Sequence, residues 1–172
     1  FLILLAVVAL AWLLPQLLPR FTVPRSSEYT PDEKKALLKM NRVLTKDDIL
    51  PVYEPKFVPA AKSRLQADEL VLGLELNGDA RAYSITVLNG REMVNDVVGG
   101  VPVLVTWWPL CYTGLVHDRR IADGRTLKFG NQGWLYMRAM TWWDWETDSI
   151  WSQPIGTALV GPLRGTKLRL LP

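Results

Sequence analysis

Cysteine and histidine are almost missing from this chain of 172 residues, which holds one of each, Cys111 and His117. One cysteine excludes an intramolecular disulfide and any multi-cysteine zinc site, and one histidine excludes a His-rich metal cage. Glycine-rich phosphate loops and the Cys-x-x-Cys-His signature of haem attachment are also absent, so no residue spacing points to a nucleotide, flavin, haem or chlorophyll site. We therefore expect no cofactor and no metal. Charge of one sign is scarce as well. The 20 basic and 17 acidic residues leave a net charge of +3, and the basic ones are scattered. Nucleic acid is excluded as a partner on that ground.

What the chain does have is a hydrophobic start. Phe1 to Leu14 carry no charged or polar side chain, and the apolar run resumes at Leu17-Leu18 before Arg20. Eighteen helical residues span ~27 Å, close to the hydrocarbon thickness of a bilayer. Leu4 and Leu5 sit in the middle of the run, Trp12 and Arg20 suit the interface, and Pro15 and Pro19 bend the chain out of the helix. Because Phe rather than Met comes first, the expected span is longer than the run itself. Ala9-Leu10-Ala11 offers the small-x-small pattern of a signal-peptide cleavage site. A retained single-pass anchor over residues 1–20 is the expectation, with lipid and integral membrane subunits as partners and an extracytoplasmic, periplasmic domain beyond it.

Residues 21–64 read as a linker that contains one short helix and a Pro-rich extended stretch. Thr30-Pro31-Asp32-Glu33 is a helix start with a capping box, predicting a helix to about Met40. Pro51, Pro55 and Pro59 keep Leu50 to Pro59 extended. From residue 65 to 172 short apolar runs alternate with turns, predicting a mainly β, single antiparallel domain. Val71 to Leu76 and Arg81 to Ile85 flank Asn77-Gly78, a strong hairpin signal. Gly99-Gly100 separates Met93–Val98 from Val101–Trp107. Leu115–Arg120 and Thr126–Phe129 flank an Asp-Gly turn, and Ser149–Trp151, Ala158–Val160 and Lys167–Leu171 complete the strands.

Over residues 71–168 a series of motifs runs in order: Gly78-Asp79-Ala80-Arg81-Ala82-Tyr83, Glu92-Met93-Val94-Asn95-Asp96, Gly99-Gly100, Pro109-Leu110-Cys111, Phe129-Gly130, Glu146-Thr147 and Ser149-Ile150-Trp151-Ser152-Gln153. This pattern resembles the domain-of-unknown-function family 3179, which is mainly bacterial. The family usually places a His before the Glu of its Glu-Ile-Val-Asn-Asp motif and writes its central motif Cys-Pro-Leu-Cys-Gly-Thr. Here those positions hold Arg91, Trp108 and Tyr112, and only Cys111 remains. A metal or dithiol activity, if the family has one, is therefore expected to be lost in this chain, because one thiolate makes neither a disulfide couple nor a metal cage.

Cys111, His117, Glu92 and Asp96 are the candidate catalytic residues, each set against a plainer role. A lone Cys in an apolar run is commonly an inert core residue. His117 needs a nucleophile or carboxylate partner to act as a base. Asn95-Asp96 reads as part of a buried hydrogen-bond network, and Asp144 to Ser149 as a polar turn in which Asp and Ser cap backbone groups. Seven of the eight tryptophans fall between Trp107 and Trp151. Trp142-Trp143-Asp144-Trp145 puts rings on both faces of any strand it forms, so Trp107, Trp108, Trp142, Trp143 and Trp145 are candidates for burial or for contact with a partner or headgroups. The function expected is a non-catalytic, membrane-anchored accessory subunit of a larger membrane complex, for which an energy-converting complex, photosynthetic or respiratory, is a natural setting. The rivals are a membrane-surface redox or hydrolytic enzyme using the four residues above, and a ligand-binding module with a Trp-lined cleft.

Overall fold

The computed structural model describes residues 29–172. The expected anchor, with Leu4, Leu5 and Trp12, lies outside the described residues. Among those described, no helix is long and apolar enough to cross a membrane. The account below concerns the compact unit Asp32–Pro172.

Antiparallel sheets dominate, as expected. A five-stranded sheet has the order β1-β7-β8-β9-β10 and a four-stranded sheet the order β11-β6-β5-β4, with a separate hairpin β2-β3. The strands are β1 Met40–Arg42, β2 Val71–Leu76, β3 Asp79–Ser84, β4 Met93–Val98, β5 Val101–Trp108, β6 Thr113–Asp118, β7 Phe129–Tyr136, β8 Ala139–Asp144, β9 Ile150–Ser152, β10 Thr157–Val160 and β11 Arg169–Leu170. Among the described residues two α-helices accompany them, α1 Pro31–Leu37 ahead of β1 and α2 Ile85–Arg91 between β3 and β4.

The four-stranded sheet is apolar on both faces, and the period-2 alternation of β5 shows why. Val103, Val105 and Trp107 pack with Leu74 and Tyr83 of the hairpin and with Ile85 and Leu88 of α2. Leu104 and Trp108 point the other way, into a second core with Phe129, Trp142 and Trp151 of the five-stranded sheet. Trp142 and Trp151 are fully buried, and Phe129 meets both edge-on with centroids 5.9 and 5.4 Å away. Each such ring removes enough apolar surface from water to stabilise the fold by roughly 2–3 kcal/mol.

Asn77 and Gly78 both take positive φ, 52° and 78°, as a two-residue type I′ hairpin demands. Three expectations need correction. The first helix stops at Leu37, and Met40–Arg42 instead pairs with β7. Ile85 does not continue β3 but opens α2, whose N-cap Ser84 accepts the Val87 N–H. The turn at Asp123-Gly124 forms, with the Gly124 N–H on Ile121 O, but Thr126–Phe129 is not its return strand: one isolated bridge, Arg120 to Thr126, joins the flanks, and β6 and β7 belong to different sheets.

Leu50 to Pro59 is extended, as its prolines require. Val52 donates to Met93 O and accepts from Asn95 N, an isolated parallel bridge beside β4.

Candidate functional site

Helix α2 ends at Arg91, and Glu92 turns the chain into β4 with φ 60°, in the left-handed region. Its N–H reaches back to Leu88 O at 2.7 Å, and its carbonyl accepts the Trp107 N–H. A non-glycine residue there costs about 1 kcal/mol or more, and such strain is held only where the surroundings fix it. The turn puts a carboxyl into the wall of a pocket of about 300 Å³. Glu92 is 8% exposed, and no hydrogen bond or ion pair reaches its carboxyl among the described residues. Burial pushes this group up to about 7, against an ordinary 4.5.

The walls come from both sheets. Trp108 closes β5, and the short 3-10 turn Pro109–Cys111 that follows contributes Pro109 and Leu110. Trp134, Leu135, Met140 and Thr141 come from the hairpin β7-β8, whose register shifts between Asn131 and Leu135. This bulge is fixed by Gly133, at φ 75°, where a Cβ would lie 2.7 Å from Leu44 O. Val43 and Leu44 therefore reach the pocket rim and both donate to Gly133 O. Of the polar neighbours, Asn89 accepts from Trp107 Nε1 at 2.8 Å, Asn131 Nδ2 donates to Ile49 O and Arg91 O while its Oδ1 has no partner among the described residues, and Thr141 Oγ1 donates to Trp134 O. Glu92 is the sole ionisable side chain in the lining.

The other three candidates lie elsewhere. Asp96 accepts the Tyr83 hydroxyl at 2.8 Å on the hairpin side of its sheet. His117 is buried between the sheets, edge-on to Trp142 at 5.3 Å, with Nδ1 unpartnered among the described residues. Burial, aided by the charge of Lys167, lowers it to about 4, so it is neutral at physiological pH. Cys111 is exposed on its 3-10 turn, its Sγ 3.0 Å from Thr113 Oγ1, rather than an inert core residue. No hydrogen bond links any of these four to another. Among the described residues no group of three or more His, Cys, Asp and Glu side chains is placed to hold a metal. Trp108 and Glu92 do share the pocket, whereas Arg91 is exposed.

The tryptophans divide along β8. Trp142 and Asp144 point into the core and are fully buried, and Trp107 and Trp108 are buried too. Burial withdraws those three rings from any outer surface of the domain. Trp143 and Trp145 point outward and stack with centroids 5.8 Å apart and planes 8° from parallel. Lys46 lies over Trp143 at 4.6 Å, and Lys128 over Trp145 at 4.0 Å. Tyr53 meets Trp145 edge-on. The segment after β8 is the polar turn expected of it. Asp144 Oδ1 accepts the Thr147 N–H at 2.6 Å, Asp144 Oδ2 accepts Trp151 Nε1, and Ser149 Oγ accepts the Leu163 N–H.

The pocket residues other than Glu92, Trp108, Pro109 and Leu110 lie outside the motifs singled out above. Only the glycine at position 133 hints at a backbone feature there, since an isolated glycine in a strand pattern marks a bulge.

Fold and site together define a class: an antiparallel β domain of stacked sheets with an apolar pocket that takes in a buried glutamate. The chain belongs to the family described as protein of unknown function (DUF3179), which matches residues 46–172. The match starts ahead of β2 and takes in Asp47, Val52 and Tyr53, which line the aromatic patch or bridge β4. Nothing among curated proteins or solved structures matches the chain.

Proposed function

We propose that this protein is a non-catalytic accessory subunit, tethered to a membrane by its hydrophobic N-terminal run and bracing a larger membrane complex with its β domain on the extracytoplasmic side. The setting we assign is an energy-converting complex, photosynthetic or respiratory. The observation that carries the reading is the outward Trp143–Trp145 stack, on the face of β8 opposite the core. The core is complete without these two rings, and Trp145 remains 43% exposed. Aromatic rings bordered by lysines suit a contact with a partner protein, where tryptophan and cation–π pairs concentrate binding energy. The scatter of Cys111, His117, Glu92 and Asp96 supports the same reading, because a nucleophile and its base must lie within hydrogen-bond reach.

The test is a photo-crosslinking residue at position 145 in the full chain, expressed in its native membrane and extracted in mild detergent. Crosslinks to an integral membrane subunit are expected. Recovery as a stable monomer without any co-purifying membrane protein sinks the proposal.

A further inference from the structure

We propose that the pocket between α2 and the β7-β8 hairpin is a binding site for a small organic ammonium ion, with the Glu92 carboxylate as counter-ion and the Trp108 and Trp134 rings as walls. The inference is independent of the accessory role. Glu92 is 8% exposed, and an ionised carboxyl there, with no donor from the described residues, is costly to bury unless something supplies one. The lining contains no Lys, Arg or His. The missing positive charge must therefore arrive with the occupant.

The rest of the lining fixes the occupant's class. Ile49, Leu135 and Met140 are apolar, Asn131 and Thr141 spend their donors on backbone carbonyls, and Asn89 spends its oxygen on Trp107 Nε1. A strongly hydrated metal cation finds one carboxylate and an apolar wall, which is a poor oxygen cage. An alkyl or arylalkyl ammonium finds what it needs: a charge-assisted hydrogen bond at Glu92, tryptophan rings that attract a cation, and an apolar cavity for its carbon body. About 300 Å³ lies at the small end of ligand sites, which limits the occupant to a compact molecule. Val43, 61% exposed, and Leu110, 79% exposed, mark the open rim through which it enters.

The experiment uses the full chain in a maltoside detergent, whose headgroup carries no ammonium. Benzylammonium, its neutral analogue benzyl alcohol and the anion benzoate are titrated by calorimetry at pH 8 and pH 5.5. Benzylammonium is expected to bind about tenfold or more tighter than benzyl alcohol at pH 8, with benzoate not binding. The preference should disappear in Glu92→Gln and shrink at pH 5.5, where Glu92 is protonated. Leu44→Trp, at the rim, should block both benzylammonium and benzyl alcohol while leaving the Glu92 environment intact. Equal binding of cation and alcohol, a preference that survives Glu92→Gln, or no benzylammonium binding at pH 8 each overturns the proposal. If Glu92→Gln does not fold, the pH comparison on the wild-type chain and the Leu44→Trp variant decide the matter.

Discussion

Asn95 and Phe129 clasp the two sheets together: the Asn95 side-chain amide donates to Phe129 O, and its Oδ1 accepts the Phe129 N–H, both at 2.9 Å. Phe129 begins β7, so the last backbone groups before the five-stranded ladder are satisfied by a side chain from the four-stranded sheet. Both residues are buried. Replacing Asn95 by Ala leaves a buried N–H and C=O without partners, each costing about 1–3 kcal/mol. Asn95→Ala is expected to lose about 2–4 kcal/mol in urea denaturation, and Asn95→Asp to lose part of that, because a carboxylate accepts but cannot donate. A loss below 1 kcal/mol for the alanine variant means the clasp is not made.

Gly99 and Gly124 sit in turns with positive φ, 54° and 87°, yet they predict different costs. A Cβ at Gly99 runs into the Leu76 carbonyl, while one at Gly124 meets nothing. Gly99 also donates to Asp79 and accepts from Asn77, which ties the β2-β3 turn to the β4-β5 turn. Gly124→Ala carries only the left-handed strain of about 1 kcal/mol. Gly99→Ala adds a backbone displacement and should cost at least twice as much, read as the difference between two thermal or urea midpoints. Equal losses refute the close approach.

The thiol of Cys111 predicts reactivity without structural consequence. It is exposed, and its Sγ lies 3.0 Å from Thr113 Oγ1. In the folded chain one thiol should react with an aromatic disulfide reagent. Cys111→Ser, whose hydroxyl keeps the Thr113 contact, should change stability by no more than about 0.5 kcal/mol. Slow labelling that requires denaturant contradicts the exposed placement.

Local chemistry explains which parts of this molecule were legible. The β2-β3 and β4-β5 hairpins announce themselves because Asn77-Gly78 and Gly99-Gly100 supply residues that tolerate positive φ. The β7-β8 turn uses Met137 and Arg138 at φ 51° and 68°, residues that carry no such signal, so the sequence does not announce this hairpin. Helix α2 is hidden in the sequence for a related reason. Ile85-Thr86-Val87 is β-branched and Asn89-Gly90 disfavours helix, so propensity argues against what the Ser84 cap and the buried Ile85 and Leu88 impose. Glu92 was picked out for its carboxyl, but its isolation was not legible. Its neighbours Trp108, Trp134 and Met140 come from separate strands, and only tertiary packing removes the donors around it.

His117 and Glu92 push the pH dependence of stability in opposite directions. Burial, with Lys167 adding to it, holds His117 near 4 against an ordinary 6.5. As pH falls below 6.5, the unfolded chain takes up a proton that the folded chain refuses, and the stability tied to the neutral ring is lost toward pH 4. Glu92 is raised from 4.5 to about 7 by burial. Its contribution is complete below pH 4.5 and is lost as pH rises through 7, because the unfolded chain releases a proton that the folded chain keeps. Between about 4.5 and 6.5 each group contributes a slope of up to about 1.4 kcal/mol per pH unit, and the two nearly cancel. Asp118 acts outside this window. Burial alone would raise it, but hydrogen bonds from Arg120 and Arg169 hold it well below the carboxylate range, so its contribution fades only in stronger acid. Removing one group therefore exposes the other. Glu92→Gln should become more stable, relative to the wild type, as pH rises from 4.5 to 6.5, and His117→Gln less stable over the same interval. Urea midpoints of the three proteins at pH 4.5, 5.5 and 6.5 give both differences, with the remaining carboxylates common to all and cancelling. Differences of the same sign would mean that one of the two side chains is solvated in the folded protein.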